Sequence, residues 1–213
     1  MKIGIIGATG KSGSLLAAEA LRQKYDVTGI VRFTGRFRNS GMDILESDLF
    51  ELSRYTLKDF NVVINAFRPP SGREEQHVAA MEHLIAVFED LPNVRFMVVG
   101  GAGSLYVDPE QKVPLYTTPD FPQDQLPAAS AMAKGLELLR ASRIDWTYLS
   151  PAITFDFEGK RTGRYTLGRD NVITNAAGES YISGADYARA MIDEIKNRSF
   201  VRQRFTAVSE RRR

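Results

Sequence analysis

The sequence predicts an α/β fold, a doubly wound parallel sheet with a small C-terminal extension on the substrate side. Three observations predict it. Short β-rich runs alternate with helix-patterned stretches as far as Pro151, the signature of successive βαβ units. The run Phe96-Met-Val-Val99 is apolar throughout, as expected of a parallel strand covered on both faces. The chain opens on Lys2-Ile-Gly-Ile-Ile-Gly-Ala-Thr-Gly-Lys-Ser-Gly13, an apolar run ending in Gly7, Gly10 and Gly13. A helix-forming segment follows at once.

Each of those glycines has its own physical reason. Gly7 permits a tight turn, Gly10 lets backbone approach a pyrophosphate, and Gly13 lets the helix pack closely on the strand. Thr9, Lys11 and Ser12 stand between them. There the helix N-terminus presents free N–H groups and a partial positive charge to phosphates. This is the dinucleotide turn of a Rossmann-type sheet.

The elements follow in order. Strands are expected at Lys2–Gly7, Asp26–Arg32, Asp43–Glu46, Asn61–Phe67, Val94–Val99 and Asp145–Leu149. Helices are expected between them at Lys11–Lys24, Leu49–Lys58, Glu74–Leu91 and Ala128–Ser142. In Glu74–Leu91 the residues Val78, Met81, Leu84, Ile85 and Phe88 recur at helical spacing, one buried stripe. The stretch Gly103–Pro127 carries Pro109, Pro114, Pro119 and Pro122 and reads as a long loop of the kind that forms lids or binding loops. Beyond Pro151 the regularity changes. Thr162–Gly168 and Asn171–Asn175 read as short strands or loops, and Ser183 as the N-cap of a helix over Ala185–Lys196, with Asp186 near its third position. Arg204–Val208 reads as a last strand.

Composition narrows the function classes. At 213 residues the chain fits one domain, with residues from about 153 to 213 forming the small substrate-side portion. A net charge of +2 is too small to argue for nucleic acid or an acidic membrane. With no cysteine, disulfides, thiolate metal sites and a cysteine nucleophile are excluded. His77 and His83 are six apart on one helical segment, on different faces, so no metal site is expected. No apolar stretch approaches a membrane span and no leader precedes the first strand. The expected location is the cytoplasm, as a monomer or homodimer. Arg211-Arg212-Arg213 reads as a solvated tail.

Four strand ends carry candidate chemistry. The second strand ends at Arg32, with Arg36 and Arg38 behind it, where an acidic residue would favour NAD. A guanidinium fork matches a 2′-phosphate, so NADP is expected and NAD less so. The third ends Glu46-Ser-Asp48-Leu49, beside the expected adenine; Asp48 accepts from its amino group or caps the next helix. The fourth ends Asn65-Ala66-Phe67-Arg68. Ala66 and Phe67 are placed to line the cleft, and Arg68 meets phosphate, an acidic substrate or plain solvent. The fifth runs into Gly100-Gly101-Ala102-Gly103-Ser104. Ser104 has no G-x-S-x-G elbow, so it reads as a hydrogen-bond donor near nicotinamide or substrate.

Taken together, these segments resemble an atypical short-chain dehydrogenase/reductase of the NAD(P)H-binding group that includes NmrA-like proteins and NADH-flavin reductases. Gly7–Gly13, Val31-Arg32, Ser47-Asp48-Leu49, Val99–Leu105, Trp146–Pro151, Gly178–Ser183, Asp186–Ala188 and Arg204–Thr206 carry the resemblance across nearly the whole chain. It implies cofactor contacts at the glycine turn, Arg32, Asp48, Ala66 and Ser104, with Pro151, Ala152 and Ile153 beside the nicotinamide. One departure matters more than the match. Dehydrogenases of the family use a Tyr four residues before a Lys, and here Ser130 precedes Lys134. None of the eight tyrosines has Lys at the fourth following position. Lys134 holds the nicotinamide ribose or is a solvated helix lysine.

Alcohol or ketone chemistry driven by that dyad is therefore not expected. Hydride transfer to a flavin, quinone or similar planar small-molecule acceptor needs positioning more than a tuned acid. Flavin would then be a substrate. Two alternatives stand beside this reading: a non-catalytic NADP-binding redox sensor, and an epimerase or dehydratase using a relocated tyrosine such as Tyr116.

Overall fold

The computed structural model describes residues 1–33 and 41–212; Arg36, Arg38 and Arg213 lie outside them. Five parallel strands come from the alternating half of the chain: β1 (Lys2–Ile6), β2 (Asp26–Val31), β3 (Asp43–Glu46), β4 (Val62–Asn65) and β5 (Arg95–Val99). They continue into β6 (Trp146–Ser150), and two short strands follow, β7 (Thr154–Asp156) and β8 (Thr166–Gly168). The last pair is β9 (Tyr181–Ser183) and β10 (Gln203–Val208). Eight of these form one sheet in the order β3-β2-β1-β4-β5-β6-β10-β8, parallel except where β8 runs against β10. The order reverses between β1 and β4, and that switch point opens a crevice at the strands' carboxyl ends.

Helices cover both faces. On one lie α1 (Lys11–Arg22) and α5 (Gly184–Asn197), sharing a buried cluster with Ile3, Ile5, Leu149 and Phe205. On the other lie α3 (Gln76–Glu89) and α4 (Leu126–Ala141), packed with Ile6, Phe96, Trp146 and Tyr148. Period-two alternation produces this division: along β6, Trp146 and Tyr148 face α3 and α4 while Leu149 faces α1 and α5. Arg95 anchors α5 to the sheet. Its guanidinium donates to Glu194 Oε1 at 2.7 Å, the Glu194 carbonyl at 2.9 Å and Thr147 Oγ1 at 2.6 Å.

Several expected elements are reshaped, each for a local reason. The helix expected at Leu49–Lys58 is a 3-10 turn over Leu49–Glu51 followed by the one-turn α2 (Arg54–Leu57). Asp48 caps the turn and Ser53 starts the helix through a reciprocal capping box with Thr56. The helix after the proline-rich stretch begins at Leu126 rather than Ala128, with Pro127 accommodated in its first turn, and the stretch itself contains a 3-10 turn at Leu115–Thr117. Of Thr162–Gly168 only Thr166–Gly168 is strand, and Asn171–Asn175 is not a strand: Asn171 makes a single bridge to Tyr106. The parallel pair β7–β9 was not expected. Its three-residue strands are too short to show alternation. Ser183 does cap α5, its Oγ accepting from Asp186 N at 3.1 Å.

The packing of α1 on β1 rests on Gly13. A Cβ there would stand 2.1 Å from the Gly7 carbonyl oxygen. Gly13→Ala must push α1 off the sheet, and we expect a loss of about 1–3 kcal/mol in unfolding free energy, read from urea denaturation.

Candidate functional site

The site is built from the turn upward. Gly7 adopts a φ of +74°, and a Cβ there would meet the Ala66 carbonyl oxygen at 2.8 Å. Its N–H donates to the Ile30 carbonyl at 3.0 Å and its carbonyl accepts from Gly10 N at 2.9 Å, so the turn closes at once. Gly10 is the N-cap of α1 and supplies no side-chain oxygen, and the first helical turn holds no acidic residue. A Cβ on Gly10 would approach only the Gly7 carbonyl, at 3.3 Å. Gly10 is exposed, and that carbonyl is the one group a Cβ would crowd. With Thr9, Gly10 and Lys11 exposed and Ser12 half-buried, uncapped N–H groups point outward from a positive helix end. These residues fit a pyrophosphate.

The neighbouring strand ends gather round the turn. Arg32 follows β2 and is exposed, while Asp48 uses Oδ1 to accept from Phe50 N at 3.0 Å and thus caps its turn. Leu49 is buried beneath it. Ala66 N donates to the Ile6 carbonyl at 3.0 Å, and Phe67 N to Asn65 Oδ1 at 3.0 Å, fixing the end of β4 against β1. Arg68 is exposed. On the far side Pro151 and Ala152 are buried, whereas the Ile153 side chain stands 50% exposed at the rim, with its N–H donating to Ser180 Oγ at 3.2 Å. The chain beyond it crosses α1: a Cβ on Gly184 would meet Leu15 at 2.5 Å and the Phe157 backbone at 3.2 Å, and the Lys11 ammonium lies 5.4 Å from the Phe157 ring.

The end of β5 is held from below by Tyr148. Its phenol oxygen accepts from Gly101 N at 3.2 Å, and only a glycine at 100 leaves room for the ring, which a Cβ would meet at 2.1 Å. Burial pushes the Tyr148 phenol up, against smaller opposing effects of Gly101 N–H, Arg204 and Arg140. The chain then turns sideways. A Cβ on Gly103 would touch Ala129 of α4 at 2.7 Å, and the Gly103 carbonyl accepts from Tyr116 N at 2.9 Å.

Ser104 has a different partner from the one its sequence context suggests. Arg204 of β10, 3% exposed, donates to the Ser104 carbonyl at 2.7 Å and to Ser104 Oγ at 3.0 Å. The same guanidinium donates to Asp170 Oδ1 at 2.8 Å and to its carbonyl at 3.1 Å. Arg140 of α4 meets Asp170 from the other side at 2.9 Å. Ser104 is thus tied to β10, which fixes the chain leaving β5. Lys134 is exposed on α4, one turn beyond half-buried Ser130.

His77 is the residue that sequence reasoning passed over, having weighed it only as a metal ligand. It lies in the first turn of α3, half-buried, with its ring edge-on to Phe67 at 6.3 Å. Asn65, Phe67, His77, Met132, Gly135 and Tyr148 help line a cavity of about 20 Å³ at the ends of β4 and β5. Burial pushes the His77 imidazole below the ordinary histidine value, with Arg68 adding to the shift and Glu74 opposing it. His83 points elsewhere, its Nε2 3.0 Å from the Leu52 carbonyl. Among the described residues no group of three or more His, Cys, Asp or Glu is placed to hold a metal, and no helix is long and apolar enough to cross a membrane.

Comparison with known proteins agrees with this geometry. A family model described as NAD(P)H-binding matches residues 7–198. The chain belongs to that NAD(P)H-binding family. The uncharacterised protein YwnB of Bacillus subtilis is 48% identical over 211 residues, 99% of each chain. Among solved structures, a Streptococcus pneumoniae protein provisionally named an NADH-flavin reductase matches with a TM-score of 0.92 at 36% identity, over 99% of this chain and 100% of that one. A Bacteroides thetaiotaomicron protein provisionally named an epimerase matches at 0.87 and 34% identity, over 99% of each. Membership of the NAD(P)H-binding family fits the short-chain dehydrogenase/reductase resemblance carried by the sequence motifs.

The clamp on Ser104 has a stability consequence. Arg204→Met leaves the Ser104 carbonyl without its buried donor and removes one of the two cations on Asp170. We expect a loss of about 1–3 kcal/mol in urea unfolding, and a smaller loss for Arg140→Ala on the solvent side.

Proposed function

We propose that this protein is an NADPH-dependent reductase that passes hydride from the nicotinamide to a planar conjugated acceptor, a flavin or a quinone. The observation that carries the reading is the pairing of an uncapped, glycine-lined helix end with an apolar strand-end cleft that has Ser130 where a dehydrogenase would have tyrosine. The turn at 7–13 would hold the pyrophosphate, Asp48 and Leu49 would border the adenine, and Arg32 would meet a 2′-phosphate. Ala66, Phe67, Arg68, Gly101, Pro151, Ala152 and Ile153 would border the nicotinamide half, and Lys134 would reach its ribose from α4.

When bound, the nicotinamide supplies the hydride, and the chain's own residues bind, orient and shield it. Phe67, Met132 and Ile153 offer flat or flexible apolar surface, which suits a ring better than a sugar. An acceptor of this kind is already electrophilic at its receiving atom, so the missing tyrosine costs it little. The Streptococcus pneumoniae relative's name points the same way. Ser104, held by Arg204, is assigned to shaping the end of β5 rather than to touching the ring.

NADPH oxidation followed by absorbance, with FMN, riboflavin or menadione as acceptor, tests the proposal. Turnover that depends on the acceptor is expected. Tight NADPH binding without turnover on any of them would favour a sensor instead. Cofactor choice is tested separately by titration calorimetry. Arg32→Ala should weaken NADP binding by about 1.5–3 kcal/mol, roughly tenfold to over a hundredfold, and leave NAD nearly unaffected. Equal losses for both would show that Arg32 does not read the 2′-phosphate. Gly10→Ala should keep the fold's stability while weakening both cofactors, because its Cβ occupies the space left for phosphate.

A further inference from the structure

The cavity beneath Phe67 joins two titratable side chains that hydride transfer by itself does not use. Tyr148 is buried, and its phenol oxygen is already occupied as an acceptor by Gly101 N at 3.2 Å. Among the described residues no acceptor receives the phenol's own proton, and a buried donor of that kind needs one. The space beside it is about 20 Å³, room for about one water molecule and far too little for a ring. His77 lines the same space from α3 and is half-buried, so its imidazole meets both the cavity and the cleft mouth at Phe67. A water there can accept from Tyr148 and exchange a proton with the imidazole.

We propose that His77 is the acid that protonates the reduced acceptor, supplied through a water held between it and Tyr148. This rests on the reductase reading and names a proton source for it. In the step, the C–H bond at the nicotinamide C4 breaks and its electron pair goes with hydrogen to the acceptor, one oxygen of a quinone or N5 of a flavin. NADPH is oxidised to NADP+ and the acceptor gains two electrons. The remaining quinone oxygen, or flavin N1, takes a proton from the His77 imidazolium, and the neutral imidazole recovers one from solvent through the cavity water.

The charged groups facing His77 are Arg68, which disfavours the imidazolium, and Glu74, which favours it. The other elements against it, β4, β5, β6 and α4, present Asn65, Val99, Tyr148, Met132 and Gly135, with no charge among them. Burial and Arg68 therefore hold the imidazolium less firmly than in an ordinary histidine, against Glu74. Turnover should fall as pH rises through that lowered imidazole pKa.

The test uses the full chain with NADPH and menadione. His77→Gln is expected to lower kcat by at least roughly tenfold, to abolish the descending limb of the pH profile, and to leave NADPH affinity unchanged. In His77→Ala, added imidazole should restore part of the rate. Tyr148→Phe, which keeps the ring under Gly100, should lower kcat in the same direction by a smaller factor. An unaltered kcat and pH profile in His77→Gln overturns the proposal. Absence of turnover in the wild-type protein overturns the reductase reading instead. Independently of turnover, NMR titration of His77 should give a lower value with cationic NADP+ bound than with NADPH, and identical titrations would place the imidazole outside the site.

Discussion

The structure depends on how closely the first turn of α1 approaches β1. With hydrogen at position 13 the helix sits against the Gly7 carbonyl, and with hydrogen at position 7 the turn folds back against Ala66. Those contacts set the angle of α1, and α5 packs beside α1 over the same face of the sheet. The segment beyond Ile153 then crosses the start of α1 through Phe157 and Gly184. A cofactor cradle and the wall facing it thus follow from one steric constraint. Gly10 belongs to the same turn but is exposed and crowded only by the Gly7 carbonyl, so the steric demand on it is far weaker than on Gly7 or Gly13.

A second constraint acts at the end of β5. Tyr148 fills the space that Gly100 leaves and receives Gly101 N, so the strand end is fixed from beneath. Arg204 then pulls the following residues sideways through Ser104. The guanidinium sits between Ser104 and Asp170 with its charge balanced, and Arg140 closes the pair from solvent. Losing the buried guanidinium of such a pair is destabilising, but the pair does not by itself add much to stability. Its contribution here is position: it ties the chain leaving β5 to β10 through Ser104.

Most of the fold was legible in the sequence because its signals are local. Alternating strands and helices, a continuously apolar β5 and the spaced glycines each act within a few residues and announce a doubly wound sheet, whose order β3-β2-β1-β4-β5-β6 the structure supplies. What sequence reasoning missed lies in pairings between distant segments. Nothing near Ser104 announces that Arg204, 100 residues away, claims its oxygens. Nothing near His77 shows that it shares a cavity with Tyr148 of β6. The β7–β9 pair and the broken helix at 49–57 escaped for a simpler reason. Elements of three or four residues carry too few side chains for a period to show.

In the proposed reaction, hydride leaves the nicotinamide within this cleft and enters a planar acceptor. Oxidation of NADPH carrying deuterium at one or the other face of C4 tests it most directly, with menadione as acceptor. A fixed ring position predicts that one labelled epimer slows turnover and yields NADP+ free of deuterium, while the other does not slow and leaves its deuterium on the NADP+. Equal rates for both epimers, or no oxidation despite bound cofactor, would contradict it.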